Sequence, residues 1–104
     1  MPDFVLVFCT CRDREEALQI ANALVAERLA ACVNVLPAME SIYRWKDQIQ
    51  MDMEQLLLIK TTAERFDELR DAILKLHSYE TPEVIAMPIA AGSEKYLAWI
   101  RESV

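Results

Sequence analysis

The sequence predicts an α+β sandwich of the ferredoxin-like, split βαβ kind (βαββαβ), with one further helix at the C-terminus. Three observations carry this prediction. Apolar residues recur with the spacings of strands and helices, in the order strand, helix, strand, strand, helix, strand, helix. The two middle strands are long, and only a few polar residues separate them, as in a β-hairpin. The chain has 104 residues, the length of one domain, so we expect a single domain over residues 1–104.

The first strand is predicted at residues 3–10, where apolar side chains follow one another as in a strand covered on both faces. Asp13 and Glu16 have the spacing of a capping box, in which each side chain satisfies a free backbone donor of the first helical turn. The apolar stripe that follows consists of Ala17, Ile20, Ala21, Leu24 and Val25. We therefore expect the first helix to begin after Asp13 and to end near Leu29.

Two long antiparallel strands are predicted next. The second strand covers residues 32–36 and continues over 38–45, after Pro37 removes a ladder donor and introduces a bend or bulge. In residues 49–59, apolar and polar side chains first alternate and then become wholly apolar, which indicates a strand that passes from a half-exposed to a covered position. Residues 46–48 suit a hairpin loop in which one residue has a left-handed conformation.

A second helix is predicted after the hairpin. Thr61 and Glu64 offer another capping box, and an apolar stripe at the helical period follows them. We expect this helix to end around His77. Residues 78–83 form a turn-rich connector, because Pro82 cannot donate and the residue before it disfavours a helix.

The C-terminal part of the chain predicts a short strand and a short helix. Apolar residues 84–87 give the fourth strand, and Pro88 confines the end of this strand to an edge or an exit. Gly92 and Ser93 then precede a helix at residues 94–102. Two main helices can cover only one face of the sheet, and 54% of the chain is hydrophobic, above the about 45–50% of ordinary domains. We therefore expect a subunit interface on the other face.

Charge and composition exclude several classes of partner. Eleven basic and seventeen acidic side chains give a net charge of -6 and a pI near 4.7, which disfavours nucleic acid. No apolar stretch approaches the roughly 20 residues of a membrane span, and the N-terminus lacks a signal-peptide pattern. Three cysteines, an odd number without a secretory signal, indicate reduced thiols. We expect a cytoplasmic protein that binds neither nucleic acid nor membrane.

Several ordered motifs resemble the CutA divalent-cation tolerance family. They are LAACVNVLP at residues 29–37, SIYRW at 41–45, IKT at 59–61, HSYETPE at 77–83 and YLAW at 96–99. The resemblance implies a ferredoxin-like homotrimer in the bacterial cytoplasm, in which long hairpins extend the sheets of neighbouring subunits. It also implies binding of copper and other divalent cations, without a known reaction.

Three positions depart from the pattern of this family. Asp47 stands where a glycine is usual in the hairpin loop, and Ser78 stands where a proline commonly follows the histidine. Leu76 occupies a place where some members carry another histidine. The first departure predicts a strained turn. The third argues against a metal site that uses paired histidines.

The metal ligands that the resemblance implies are Cys9 and His77. Thiolate and imidazole are soft and intermediate ligands that suit copper. Cys11 is a further sulfur candidate, because residues i and i+2 of an extended strand lie on the same side. Both implied ligands also have structural interpretations: a cysteine in an apolar strand is usually a small core residue, and a histidine is often a polar helix terminus.

Two further groups of residues are candidates for binding. Glu80 and Glu83 can bind a hard cation, although carboxylates in a connector are usually solvated or cap a turn. An aromatic set is expected in the core or, in a trimer like that of the CutA family, near a cleft between subunits, where Arg44 and Lys60 can receive an anionic ligand. The members of this set are Tyr43, Trp45, Tyr79, Tyr96 and Trp99.

The sequence does not contain the motifs of common enzymes. It has no phosphate-binding glycine loop, no nucleophile motif with His and acidic partners, and no metal-hydrolase helix motif. We therefore expect a protein that is not an enzyme. Three classes remain: a metal-tolerance protein, a small-ligand signalling trimer that resembles the PII regulators of the same fold, and a structural scaffold. An RNA-recognition module has the same strand order but is disfavoured by the charge.

Overall fold

The computed structural model describes residues 3–104 as a four-stranded antiparallel sheet with three helices. The strands are β1 (Phe4–Cys11), β2 (Cys32–Trp45), β3 (Gln48–Thr62) and β4 (Ile85–Pro88). The helices are α1 (Arg14–Ala26), α2 (Phe66–Leu76), which follows a 3-10 turn at Ala63–Arg65, and α3 (Glu94–Ser103). In space the strands lie in the order β2-β3-β1-β4. The predicted α+β class and the predicted order of elements are confirmed.

The pairing of β1 with β3 determines which side chains face the helices. Cys9 lies opposite Leu57, and Cys11 lies opposite Gln55. Because side chains two residues apart share a face of a sheet, both cysteines lie on the same face. This face is packed against α1 and α2, and the core contains Val7, Cys9, Cys11, Ile20, Leu24, Leu57, Ile59, Leu69 and Ile73. On the other face, Arg101 of α3 lies 4.9 Å from the centre of the Phe4 ring.

The start of α1 is close to the predicted capping box. The Asp13 carboxylate accepts a hydrogen bond from the Glu16 N–H at 2.9 Å, as expected. The Glu16 carboxylate accepts from the Arg12 N–H at 3.1 Å, one residue before the donor of a regular capping box. Glu16 therefore holds the turn between β1 and α1.

The end of α1 comes earlier than the sequence predicts. The helix stops at Ala26, and Arg28 has a left-handed φ of 57°. The Leu29 N–H then donates back to the Leu24 carbonyl at 2.9 Å. This turn satisfies a terminal carbonyl of the helix and directs the chain into β2.

The hairpin between β2 and β3 has a two-residue loop. Trp45 pairs with Gln48, so only Lys46 and Asp47 form the loop, with φ of 50° and 62°. The loop is one residue shorter than predicted and has two left-handed residues instead of one. A turn with positive φ at both central residues matches the right-handed twist of the flanking strands.

The pairing of β2 with β3 is interrupted near the base of the hairpin. The register shifts between Leu36 and Met39, which confirms the irregularity predicted at Pro37. Beyond this shift the hairpin extends away from the helices, and the molecule measures 44 × 25 × 23 Å. Large apolar side chains are exposed on this part of the hairpin: Ile42, Tyr43, Trp45, Ile49, Met51 and Met53.

The start of α2 contradicts the capping box predicted from Thr61 and Glu64. Both Thr61 and Thr62 belong to β3, and no side chain caps the 3-10 turn that leads into the helix. Thr61 is fully buried, and its hydroxyl donates to the Leu29 carbonyl at 2.7 Å. Pairing with β1 thus extends β3 past the expected boundary, and the Thr61 hydroxyl bonds to a carbonyl of a different segment instead of capping the helix.

The C-terminal elements are short. β4 has four residues, begins one residue later than predicted and includes Pro88 at its end, beside β1 at an edge of the sheet. α3 has ten residues and ends at Ser103, one residue beyond the prediction. Within residues 3–104, no helix combines the length and the apolar character needed to cross a membrane.

Candidate metal centre

Two thiols and an imidazole converge at the end of β1, beneath the helices. Cys9 and Cys11 project from the helix-covered face of β1, and His77 directly follows the last turn of α2. One ligand atom from each of the three residues lies within 4.8 Å of the others. Cys9 and Cys11 have no exposed surface, and His77 is 9% exposed. The structure therefore brings Cys9 and His77 together, and Cys11, the further sulfur candidate, lies beside them.

Hydrogen bonds fix the orientation and the tautomer of the His77 ring. Its Nδ1 accepts the backbone N–H of Tyr79 at 3.1 Å, so Nδ1 carries no proton. Its Nε2 lies 2.7 Å from the Thr10 carbonyl oxygen, which makes Nε2–H the donor of that bond in the neutral ring. Either nitrogen can bind a metal only after it exchanges one of these hydrogen bonds.

The Cys9 thiol is protonated in this environment. Its hydrogen bond with Cys11 and its burial raise the pKa of Cys9 far above the ordinary range, and the charges of Glu83 and Glu16 act in the same direction. The thiol donates to the Thr10 carbonyl over 3.8 Å. Because metals bind the thiolate, metal binding here must displace a proton.

Glu16 is a member of this site that sequence reasoning assigned only to a helix cap. Its carboxylate is buried, lies 3.9 Å from Nδ1 of His77 and accepts the Ser78 N–H at 2.9 Å. Burial acts to raise the pKa of Glu16, but hydrogen bonds from Ser78 and Arg12 outweigh it, and the pKa is lowered. No sequence signal pairs Glu16 with Ser78, because the two residues lie 62 positions apart.

A separate groove of about 640 Å³ lies on the opposite face of the sheet. Three residues of the predicted aromatic set line it: Tyr43, Trp45 and Tyr79. Four carboxylates also line it: Asp52, Glu54, Glu80 and Glu83. The Tyr79 hydroxyl donates to Glu54 at 2.8 Å, and burial together with this bond raises the pKa of Tyr79. The groove thus combines aromatic walls with negative charge.

The other predicted ligand-binding residues lie outside this groove. Arg44 and Lys60 do not line it, and the Lys60 ammonium donates to the Asn34 side chain. Tyr96 and Trp99 pack against each other on α3, with ring centres 5.4 Å apart. Within one chain, the groove therefore presents carboxylates instead of the basic residues expected for an anionic ligand.

Comparison with known proteins relates this chain to one family. The family model described as CutA1 divalent ion tolerance protein matches residues 5–103. The chain belongs to the CutA1 family. The divalent-cation tolerance protein CutA of Thermus thermophilus is 49% identical over 98 residues, which are 94% of this chain and 95% of that protein. The family resemblance drawn from the sequence motifs is confirmed.

Plant members of the CutA1 family extend the comparison. The chloroplastic protein CutA of Arabidopsis thaliana is 44% identical over 99 residues, which are 95% of this chain and 54% of that protein. The chain therefore spans nearly all of the Thermus relative but about half the length of the Arabidopsis one. The crystal structure of CutA1 from Oryza sativa has a TM-score of 0.95 at 40% identity, covering 98% of this chain and 94% of that chain. This likeness confirms the fold.

Proposed function

We propose that this member of the CutA1 family is a cytoplasmic homotrimer that binds copper through Cys9 and His77, with Cys11 as a further ligand. The observation that carries this proposal is the convergence of two thiols and an imidazole within 4.8 Å. A metal site agrees with the family description, which refers to tolerance of divalent ions. The proposed role is binding, without a catalytic step.

The donor set fits copper, and Cu(I) in particular. Thiolates and imidazole are soft and intermediate ligands, whereas magnesium and calcium prefer shells of oxygen atoms. Donors that bind a metal at about 2.0–2.3 Å lie about 4 Å apart across the ion. A contraction of less than one ångström therefore brings the three donors to bonding distance of one ion. Divalent cations with an affinity for sulfur are weaker candidates than Cu(I).

Each residue has a defined task in this proposal. The two thiols bind as thiolates after they lose their protons, and the His77 ring binds after it exchanges one hydrogen bond. Burial keeps water away from the ion, so these ligands face little competition from solvent. The negative charge of Glu16 near His77 favours a cation at this place.

Copper titration of defined variants tests the metal site. We expect Cys9→Ser and His77→Ala each to reduce the affinity for Cu(I), measured by competition with a chromophoric chelator, while light scattering shows an unchanged assembly. Cys32→Ser is the matched control, because Cys32 is the third free cysteine and lies outside the cluster. Equal affinity in the wild type and in the Cys9→Ser, His77→Ala double variant would contradict the site.

The proposed homotrimer is supported by the apolar surface of the hairpin. Ile42 and Ile49 are 70% and 73% exposed, and Met51 and Met53 beside them are also exposed. Contiguous apolar surface of this kind marks an interface, and most assemblies close by symmetry. Light scattering should give three times 12.0 kDa, and the unfolding midpoint should rise with protein concentration. A stable monomer at micromolar concentration would contradict this prediction.

A small-ligand signalling role, as in the PII-like alternative, is favoured by one observation, the groove of about 640 Å³ on the opposite face of the sheet. Its carboxylates repel phosphates, so we expect a panel of nucleotides to show no binding in isothermal titration. Tight binding of a nucleotide would favour the signalling role over the metal-binding role.

A further inference from the structure

Glu16 is a charged side chain inside the protein. It lies in the first turn of α1 and is only 4% exposed. A buried carboxylate is unfavourable unless hydrogen bonds or opposite charges compensate for the lost water. The partners of Glu16 therefore define which parts of the chain depend on it.

The two carboxylate oxygens of Glu16 accept backbone N–H groups from two segments that are far apart from each other in the sequence. Oε1 accepts from Arg12 at 3.1 Å, and Oε2 accepts from Ser78 at 2.9 Å. Arg12 directly follows Cys11, and Ser78 directly follows His77. One side chain thus joins the backbone beside a sulfur donor to the backbone beside the nitrogen donor.

The connector after α2 depends on Glu16 for the position of the peptide group next to His77. The N–H of His77 closes the last helical turn on the Ile73 carbonyl at 2.9 Å, which fixes the residue on its N-terminal side. On its C-terminal side, the hydrogen bond from Ser78 to Glu16 performs this task. The other hydrogen bonds of this segment involve side chains. The His77 ring bonds to the Thr10 carbonyl and accepts the Tyr79 N–H, and the Tyr79 hydroxyl donates to Glu54 on the sheet.

We propose that Glu16 is a positioning residue of the thiol–imidazole cluster. By holding the N–H groups of Arg12 and Ser78 on one carboxylate, it sets the position of the His77 ring relative to the two sulfurs. This inference rests on the proposed metal-binding function of the cluster. Groups that orient metal ligands typically change metal affinity by about 10–100-fold when they are removed.

A double-variant cycle isolates this role. Glu16→Ala removes the acceptor, and Ser78→Pro removes the donor. His77 has φ of -75° and ψ of 143°, the extended conformation that a residue before proline adopts, so the second change puts no strain on His77. We expect Glu16→Ala to weaken Cu(I) binding by about 10–100-fold in the otherwise unchanged chain. In the Ser78→Pro background, the same change should cost clearly less affinity, because only the charge of Glu16 and its hydrogen bond from Arg12 are then lost.

Two further variants sharpen the comparison. Glu15→Ala removes an exposed carboxylate from the same helical turn and should leave Cu(I) affinity unchanged. Glu16→Gln keeps the volume of the side chain and one acceptor oxygen, so it should fold with the same packing and lose less affinity than Glu16→Ala. An unchanged affinity in both Glu16 variants would overturn the proposal, as would equal losses with Ser78 present and with Ser78→Pro.

The metal-free protein provides a readout that does not depend on copper. The ¹⁵N chemical shifts of the His77 ring report which nitrogen carries the proton, and Glu16→Ala should change them, whereas Glu15→Ala should not. If the wild type fails to bind Cu(I) but these shifts change, the metal function is wrong and the positioning of His77 stands. If Glu16→Ala lowers the melting temperature but leaves the ring shifts and the affinity unchanged, Glu16 is a purely structural residue.

Discussion

Replacement of Asp47 by glycine should stabilise the hairpin, because Asp47 has a left-handed φ of 62° in the loop. A residue with a Cβ atom loses roughly 1–2 kcal/mol in this conformation, and aspartate loses less than most. Glycine avoids this clash but loses about 0.5–1 kcal/mol through its greater freedom in the unfolded chain. The net gain is therefore below about 1 kcal/mol per chain, which raises the melting temperature by no more than about 8 °C.

The assay is thermal unfolding followed by circular dichroism at one fixed protein concentration, because association shifts the midpoint. Asp47→Ala is the matched control, since it removes the same carboxylate but keeps the Cβ atom in the left-handed conformation. We expect a higher melting temperature for Asp47→Gly than for the wild type, and no increase for Asp47→Ala. Equal increases would assign the gain to the lost negative charge. An unchanged or lower value for Asp47→Gly would refute the argument from φ.

Two other predictions concern the copper site and the core. Acidification should weaken Cu(I) binding. The raised pKa of Cys9 means that the ion displaces a proton at neutral pH, and a higher proton concentration competes more strongly with the ion. Chelator competition at several pH values measures this dependence, and an affinity that does not change with pH would argue against a thiolate ligand. Thr61→Val should lower the free energy of unfolding, measured in urea, by about 1–3 kcal/mol, because the buried Leu29 carbonyl loses its hydrogen-bond donor. An unfolding free energy equal to that of the wild type would show that this carbonyl finds another partner.

Local patterns were sufficient to predict the order and the approximate bounds of the elements. The apolar stripes of the helices and the interruption at Pro37 depend on residues that are near in sequence, so the chain alone reports them. The boundary at the end of β3, in contrast, depends on residues that are far apart in the sequence. Thr62 pairs with Phe4 across the sheet, and this long-range ladder outweighs the capping pattern of Thr61 and Glu64.

The candidate site was predictable to the extent that it follows from strand periodicity. Cys9 and Cys11 share a face because a strand repeats every two residues, and this can be stated from the sequence. The approach of His77 to these sulfurs depends on how α2 packs against the sheet, and only the family resemblance indicated it. The part played by Glu16 escaped prediction because its spacing to Asp13 already had a local explanation.

The complete burial of Cys9 and Cys11 has a kinetic consequence for any ion held between them. Solvent and ions reach the two sulfurs only while a neighbouring segment is open, and local opening of a packed structure is rare and has its own free energy. Capture and release then proceed at the frequency of that opening. In the presence of excess chelator, extraction becomes independent of chelator concentration. A cluster of this kind exchanges its metal ion slowly. Its occupancy therefore changes little during brief changes in the concentration of free metal and adjusts only to sustained ones.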